Sequence, residues 1–563
     1  MLIDNLPLGI ENFEEFRTTG CYYIDKTRLI EELLQQPFKV NQITRPRRFG
    51  KTLAMSMLAE FLDIRKDSSA IFEGLEISGN KELCSTWQNK WPVLFLSLKD
   101  IEDLDFADAY AQLADTISDL CMEHSYLAAS DKVDADDKKR FTALKERQAG
   151  KPAVKNSLFL LTRMMRKHFG KPTILLIDEY DVPLAKAKEH GHYNEMLNCI
   201  RGLLGKSLKT NHFLKFAVVT GCLRIAKESI FTGTNNFISN SITGDRYNRC
   251  FGFTESEVLR LLSDTGFSDH AEEMKEWYDG YRFGEEEVYC PWDVLSYVSA
   301  LRKNPNKRPE NYWKNTSHND IVRSFIDRAD LAVTDKFETL LAGGYVKVKI
   351  CEDLTYDLLH SSEENLWSIL YLTGYLTSIS SEQVTSEDVE DGQTYLKIPN
   401  NEVKTIFSDT VVEWFRAKVT MMDRKPLMDA LWSGDAEKVT KLLSDLLFMT
   451  ISYHNYKEDF YHAFLAGIFV GVGYPTETDK EHGGGRPDVV VKDKNNRRVI
   501  IIEAKYTKSK SGMDRSCKEA ISQINLQKYA EEFLDGYQTL ICYGAAFFKK
   551  QCMVKKFDYT QKS

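Results

Sequence analysis

Residues 45–52 read RPRRFGKT and stand between a strand-like run at 39–44 and a helical run at 52–63. Gly50-Lys51-Thr52 has the form of the end of a phosphate-cradling loop. Such a loop needs inward N–H groups at a helix N-terminus, a lysine for the β- and γ-phosphates and a hydroxyl for Mg²⁺. The position five before Gly50, where the pattern has glycine, holds Arg45. Arginine does not readily take the backbone conformations open to glycine, so the entry to this loop departs from the usual cradle. Arg45, Arg47 and Arg48 then become candidates for supplying charge to the phosphates or to a neighbouring partner. A bare GKT is equally a turn before a helix, and the decision rests on other segments.

Residues 173–181, TILLIDEYD, form a buried strand that ends in Asp178-Glu179. An acid at the end of a strand next to the P-loop strand can hold Mg²⁺ through water, and the glutamate after it can orient and deprotonate the attacking water. One more strand, PVLFLSL at 92–98, lies between the two motifs in the sequence. With Glu179 it points to the ATPase branch that has an additional strand and a catalytic glutamate. The strand 214–220, LKFAVVT, ends in Thr220, where that branch carries a polar sensor of the γ-phosphate. Developing charge on that phosphate calls for a cation. Arg224, Arg246 and Arg249 are candidates for an arginine finger, beside the plainer reading as surface or structural arginines.

A second constellation lies at 483–506, GGGRPDVVVKDKNNRRVIIIEAKY. Two strands joined by the turn DKNN carry Asp488 early in the first and Glu503 and Lys505 late in the second. Period-two alternation puts Glu503 and Lys505 on one face. Phosphodiester hydrolysis uses hard cations held by carboxylates, Mg²⁺ or Mn²⁺, and a lysine to orient the attacking water. A helix at 456–470 carries Glu458, another possible metal ligand, and a helix at 515–534 carries Gln523 with Tyr529 beyond it. From Arg486 to Lys518 there are ten Lys/Arg against four Asp/Glu, an excess that suits a phosphate backbone. The plainer alternative is a hairpin with a solvated charged face.

The bulk properties set the frame. At about 150 residues per domain, a chain of 563 residues is expected to hold three or four domains. The alternation of strands and helices up to 250 predicts a parallel sheet covered by helices. The charged stretch SDKVDADDKKRFTALKERQAGK (130–151) lacks a clear apolar face and reads as an exposed excursion. We expect 1–250 to form the P-loop domain, 251–445 a helical middle region and 446–563 a small second α/β domain. The net charge of −9 excludes a generally basic nucleic-acid-coating protein and leaves room for local patches. Eleven scattered cysteines without CxxC spacing suggest reduced thiols and no zinc site. No run approaches the ~18 apolar residues of a membrane span, so the expected location is the cytoplasm, with no membrane partner.

At this point the chain resembles a bacterial family, the AAA-ATPase-like proteins with a C-terminal PD-(D/E)XK nuclease superfamily domain. The residues that carry the resemblance are YYIDKTRLI (22–30), RPRRFGKT, LLIDEYDVPL, TGCLRIAKESIFTGTNN (220–236), WYDGYRFG (277–284), GGGRPDVVV and IIIEAK. It implies an additional-strand P-loop fold in the first part and a restriction-endonuclease-like fold in the last. It also implies that arginine at position 45 is a family trait, that Asp25 and Lys26 lie near the nucleotide, and that Glu477 and Arg486 border the nuclease site.

The expectation is an ATPase coupled to a metal-dependent DNA endonuclease, serving defence or the handling of mobile elements. Nucleotide binding falls to Arg48, Gly50, Lys51, Thr52, Asp178 and Thr220, with Mg²⁺ at Thr52 and Asp178 and water activation at Glu179. Asp488 and Glu503, helped by Glu458, are expected to ligate the second metal, with Lys505 as the catalytic cation and Gln523 as an accessory. The alternative is a nucleotide-dependent switch or scaffold whose last domain binds nucleic acid or protein without cutting. A third reading keeps the nuclease and a vestigial ATP site. DNA against RNA and a homo-oligomeric state stay open.

Overall fold

The computed structural model describes residues 5–35, 38–224, 237–313, 336–337, 339–354, 356, 362–384, 390–420, 423–448, 461, 464–465, 468–469, 475–477, 487–534, 536–548 and 551–557. The chain divides into two compact units, residues 1–316 with 347–403, and residues 317–346 with 404–563.

In the first unit, β1 (Val40–Thr44), β2 (Val93–Ser97), β3 (Thr173–Asp178), β4 (Leu214–Gly221) and β5 (Phe237–Asn240) form one parallel sheet in the order β2-β3-β4-β1-β5. β1 and β3 are buried at every position, as strands covered on both faces by helices must be. The strand ending in Asp178 is therefore not beside the P-loop strand, as its motif suggested. β4 lies between them, and β2 lies outside β3 at the sheet edge. Inserting β4 sets Thr220 between the lysine loop and the two acids, which is the additional-strand arrangement.

The helix Lys51–Leu62 begins directly after Gly50, whose φ of 82° lies in the left-handed region that favours glycine. The charged stretch before residue 151 is not an excursion. It folds as the helix Ala135–Lys145, which buries Phe141 and Leu144. Asp137 on the same helix is paired with Arg163 and Lys167 of the helix Ser157–Phe169. An apolar stripe of two residues, with buried ion pairs in place of further hydrophobes, gives no amphipathic signal.

A further core of this unit packs the helices Glu255–Thr265, Ala271–Tyr278 and Pro291–Lys303 around Val258, Leu261, Met274, Val294 and Tyr297. Thr254 and Glu257 close a capping box on the first of them.

The second unit carries a mixed sheet of β6 (Thr476–Glu477), β7 (Val489–Asp493), β8 (Arg498–Tyr506), β9 (Thr539–Phe548) and β10 (Gln551–Phe557), in that order. Only the β8–β9 pair is parallel. Alternation along β8 sorts its two faces. Ile500, Ile502 and Ala504 join a core with the helices Lys425–Ser433 and Ala436–Phe448. Val499 and Ile501 join Ile524, Tyr529 and Phe533, from and after the helix Met513–Leu526. That helix approaches β9 so closely that a Cβ on Gly544 would lie 2.4 Å from the Cys517 carbonyl oxygen. No described helix is long and apolar enough to cross a membrane.

Candidate active sites

The loop between β1 and the helix Lys51–Leu62 is built on two left-handed residues, Arg48 at φ 70° and Gly50 at φ 82°. Lys51 is buried, and its Nζ donates to the carbonyls of Arg45 (3.2 Å) and Pro46 (3.0 Å). Burial opposes its charge. Cys222, Glu179, Asp181 and Asp178 around it outweigh that cost and hold the ammonium above its ordinary value.

Arg45 turns the other way. It is fully buried, and its guanidinium donates to the carbonyls of Thr44, Asn240 and Arg246 and to Asn248 Oδ1. The rings of Phe251 and Phe283 each lie 5.3 Å from its Cζ. Its charge thus ties the loop entry to the end of β5 and the segment after it, and is not aimed at the loop's concave side. Arg48 stacks 4.4 Å over the Trp292 ring. The buried carboxyls of Asp293 and Glu402 lie near enough to act on its charge. Arg47 is partly buried and feels the charges of Asp181 and Glu179.

At the end of β3, Thr220 on β4 donates its hydroxyl to Asp178 Oδ1, and the Thr52 hydroxyl lies near enough to this carboxylate to favour its charged form. Burial raises the Asp178 pKa against both hydroxyls, and Oδ2 is buried with no hydrogen-bond partner among the described residues. Lys51, Thr52, Asp178 and Thr220 therefore meet at one place. Glu179 follows with φ 51°, a left-handed conformation costly for a residue with a Cβ. Its carboxyl is raised by burial, and Lys51 and Asp178 act on it. A buried carboxylate with one oxygen orphaned, beside a hydroxyl and a lysine, is a donor set that fits Mg²⁺ with a polyphosphate.

Asp181 is a residue that sequence reasoning missed. It is 1% exposed. Its Oδ2 accepts from the amides of Cys222 and Leu223 at 3.0 Å and from the Tyr356 hydroxyl at 3.1 Å. It pins the acidic loop to the exit of β4. A Cβ on Gly221 would lie 2.5 Å from Asp181 Oδ1, so that glycine is what permits the approach. The signal was present in TILLIDEYD as a third acid, with nothing local to distinguish it from a solvated turn residue.

The three arginines considered as fingers are engaged within their unit. Arg224 pairs with Asp353 at 3.2 Å, Arg249 with Glu286 at 3.4 Å, and Arg246 lies over the rings of Phe38 and Tyr247. Lys26 pairs with Glu257 at 2.7 Å, and Asp25 accepts from Thr27 and from the Glu76 amide.

In the second unit, Val489 pairs with Ile502, so Asp488 stands across from Glu503. Asp488 Oδ2 accepts the Ala504 amide at 2.6 Å. Glu503 is 1% exposed and Oε2 is buried without a partner. Burial, with the neighbouring charge of Asp488, pushes its carboxyl up to about 8. Lys505 Nζ lies 3.4 Å from Glu503 Oε1. Glu503 and Lys505 are in phase with Val499 and Ile501, on the face covered by the helix Met513–Leu526. There Gln523 Nε2 donates to the Tyr529 hydroxyl at 3.4 Å. Burial raises the Tyr529 phenol, and Glu503 and Asp488 are close enough to add to it. Alternation and helix packing thus gather Asp488, Glu503, Lys505, Gln523 and Tyr529.

Glu477 sits on the neighbouring strand and pairs with Lys492 at 2.8 Å. Glu458 and Arg486 lie outside the described residues. Among the described residues no three His, Cys, Asp or Glu form a metal-binding group. Two adjacent carboxyls, one with an orphaned oxygen, still fit a hard divalent cation that completes its shell with water and phosphate.

Comparison with known proteins agrees with both geometries. Residues 7–231 match the family model described as predicted AAA-ATPase, and residues 456–557 match that of the PD-(D/E)XK nuclease superfamily. A protein of Azotobacter chroococcum mcd 1, described as an uncharacterized protein in the vnfD 5′ region, is similar to the chain at 23% identity over 568 residues, covering 98% of each. The chain joins a region similar to the predicted AAA-ATPase family to a C-terminal region similar to the PD-(D/E)XK nuclease superfamily.

Proposed function

We propose that the protein binds and hydrolyses ATP in its first unit and cleaves phosphodiester bonds of nucleic acid in its second, with DNA as the substrate. The observation that carries the reading is the convergence of Asp488, Glu503 and Lys505 on one sheet face, in a chain that also joins Lys51 and Thr52 to Asp178. Asp488 and Glu503 would hold a divalent cation, with Glu458 as a further ligand, and Thr52 and Asp178 would hold Mg²⁺ with ATP. When bound, such a cation supplies Lewis-acid polarisation of phosphoryl oxygens and an acidified water. Lys51 binds the β/γ-phosphates, Glu179 takes a proton from the attacking water, and Thr220 fixes the Asp178 carboxylate. Lys505 orients the water at the nuclease site and offsets charge on the phosphorane. ATP turnover gates or positions cleavage.

The experiment offers supercoiled and single-stranded DNA with Mg²⁺ or Mn²⁺, with and without ATP, to wild type, Glu503→Ala and Lys51→Ala. The reading expects metal-dependent cutting that Glu503→Ala abolishes and ATP hydrolysis that Lys51→Ala abolishes. Hydrolysis undiminished in Lys51→Ala removes the first half, and cutting undiminished in Glu503→Ala removes the second.

A further inference from the structure

The two ends of the parallel sheet differ in their charged residues. Where the strands leave it, the acids Asp178, Glu179 and Asp181 stand with the cations Arg47 and Lys51. The segments that lead into it, 38–39, 87–92, 169–172 and 209–215, contain Lys39, Lys90, Lys171, Lys209 and Lys215 and no Asp or Glu. These segments enter β1, β2, β3 and β4, which are neighbours in the sheet. Strands lie ~4.8 Å apart, so the lysines form a row across its entry edge.

The contacts hold these lysines together. Lys215 Nζ lies 4.5 Å from the Trp91 ring and 5.4 Å from Trp87. Lys171 Nζ lies 5.6 Å from the same Trp91 ring and donates to the Lys90 carbonyl at 3.1 Å. Lys39 Nζ donates to the carbonyls of Leu214 and Lys215. Burial and the charge of Lys215 both lower the Lys39 pKa, so the two ammonium groups repel. No ion pair forms at Lys39, Lys90, Lys171 or Lys215 among the described residues, whereas Lys26, Lys66 and Lys167 of the same unit each have a carboxylate. Like charges packed around tryptophans, with no ion pair of their own among the described residues, in a chain of net charge −9, match a polyanion.

We propose that this entry edge, around Lys171, Lys215 and Trp91, is a binding surface for the phosphate backbone of nucleic acid, in the unit that does not carry the nuclease carboxyls. The inference rests on the reading of the chain as one that acts on nucleic acid. It adds a holding surface that does not require the metal site.

The test measures anisotropy of a labelled single strand and of the matching duplex with the full-length protein in EDTA, across a salt series. The Lys171→Ala/Lys215→Ala double variant should bind about tenfold more weakly at low salt. Its log–log salt slope should be shallower by about 1.4 for the single strand or about 1.8 for the duplex, two phosphate contacts being lost. Lys171→Arg/Lys215→Arg should bind as wild type does, and so should Lys275→Ala, which removes an exposed lysine already paired with Glu255. No binding by wild type, or an unchanged affinity and slope in the alanine pair, overturns the inference, as does equal weakening in the arginine pair. Since no metal is present, a failure of cleavage in parallel reactions counts against the nuclease reading alone.

Discussion

Asp488 and Glu503 face each other across two antiparallel strands, with Asp488 Oδ2 bound to the amide that follows Glu503 and Glu503 Oε2 buried without a partner. Such a pair costs stability in the absence of a cation, because one acid must stay protonated or both must repel. Glu503→Gln removes the charge and supplies a donor. In EDTA this variant should be more stable than wild type by about 1 kcal/mol, read as a higher thermal midpoint. An equal or lower midpoint would mean that Glu503 is satisfied without a cation.

Glu179 predicts a similar opposition in the first unit. A left-handed φ of 51° in a residue with a Cβ costs ~1–2 kcal/mol, of which glycine's greater chain entropy returns ~0.5–1 kcal/mol. Glu179→Gly should match or slightly exceed wild type in urea midpoint while losing ATP turnover. Marked destabilisation would show that the carboxyl is a structural group.

Arg45 should behave as a core residue. Replacing it by methionine leaves the carbonyls of Thr44, Asn240 and Arg246 without their donor. The expected loss is about 2–4 kcal/mol, measured by denaturant unfolding. Arg45→Lys should recover only part, since one ammonium cannot span four acceptors set for a planar fork.

Glu402 gives a pH prediction. It is buried against Asp293, and its Oε1 accepts the amides of Tyr312 and Trp313. Burial and then the Asp293 charge raise its pKa in the folded state. A raised acid contributes its full stabilisation below the unfolded-state pKa of ~4.3 and loses it as pH rises toward the folded value. Wild type should therefore lose thermal stability from pH 6 to about 9 more steeply than Glu402→Gln. Parallel curves for the two proteins would contradict the assignment.

Much of this was legible in the sequence because it is local. RPRRFGKT and TILLIDEYD announce a strand, a turn and a chemistry within a few residues, and the period of two in IIIEAK places Glu503 and Lys505 on one face. What was not legible depends on pairing between distant strands. The position of β4 between β1 and β3 is fixed by parallel registry across more than a hundred residues of chain. The role of Asp181 depends on the amides of Cys222 and Leu223. The inward turn of Arg45 depends on carbonyls near residues 240 and 246, and the helix at Ala135–Lys145 on ion pairs with another helix.

Asp488, Glu503 and Lys505 are proposed to form a working phosphodiesterase site. The most direct measurement is the rate of nicking of supercoiled DNA in Mn²⁺ and Mg²⁺ by wild type and by Glu503→Ala, with EDTA as the blank. Wild type should nick and EDTA should stop it, and the variant should be at least a hundredfold slower, a loss of about 2.7 kcal/mol of transition-state stabilisation. Absence of metal-dependent nicking by wild type, or equal rates for the two proteins, would contradict the proposal.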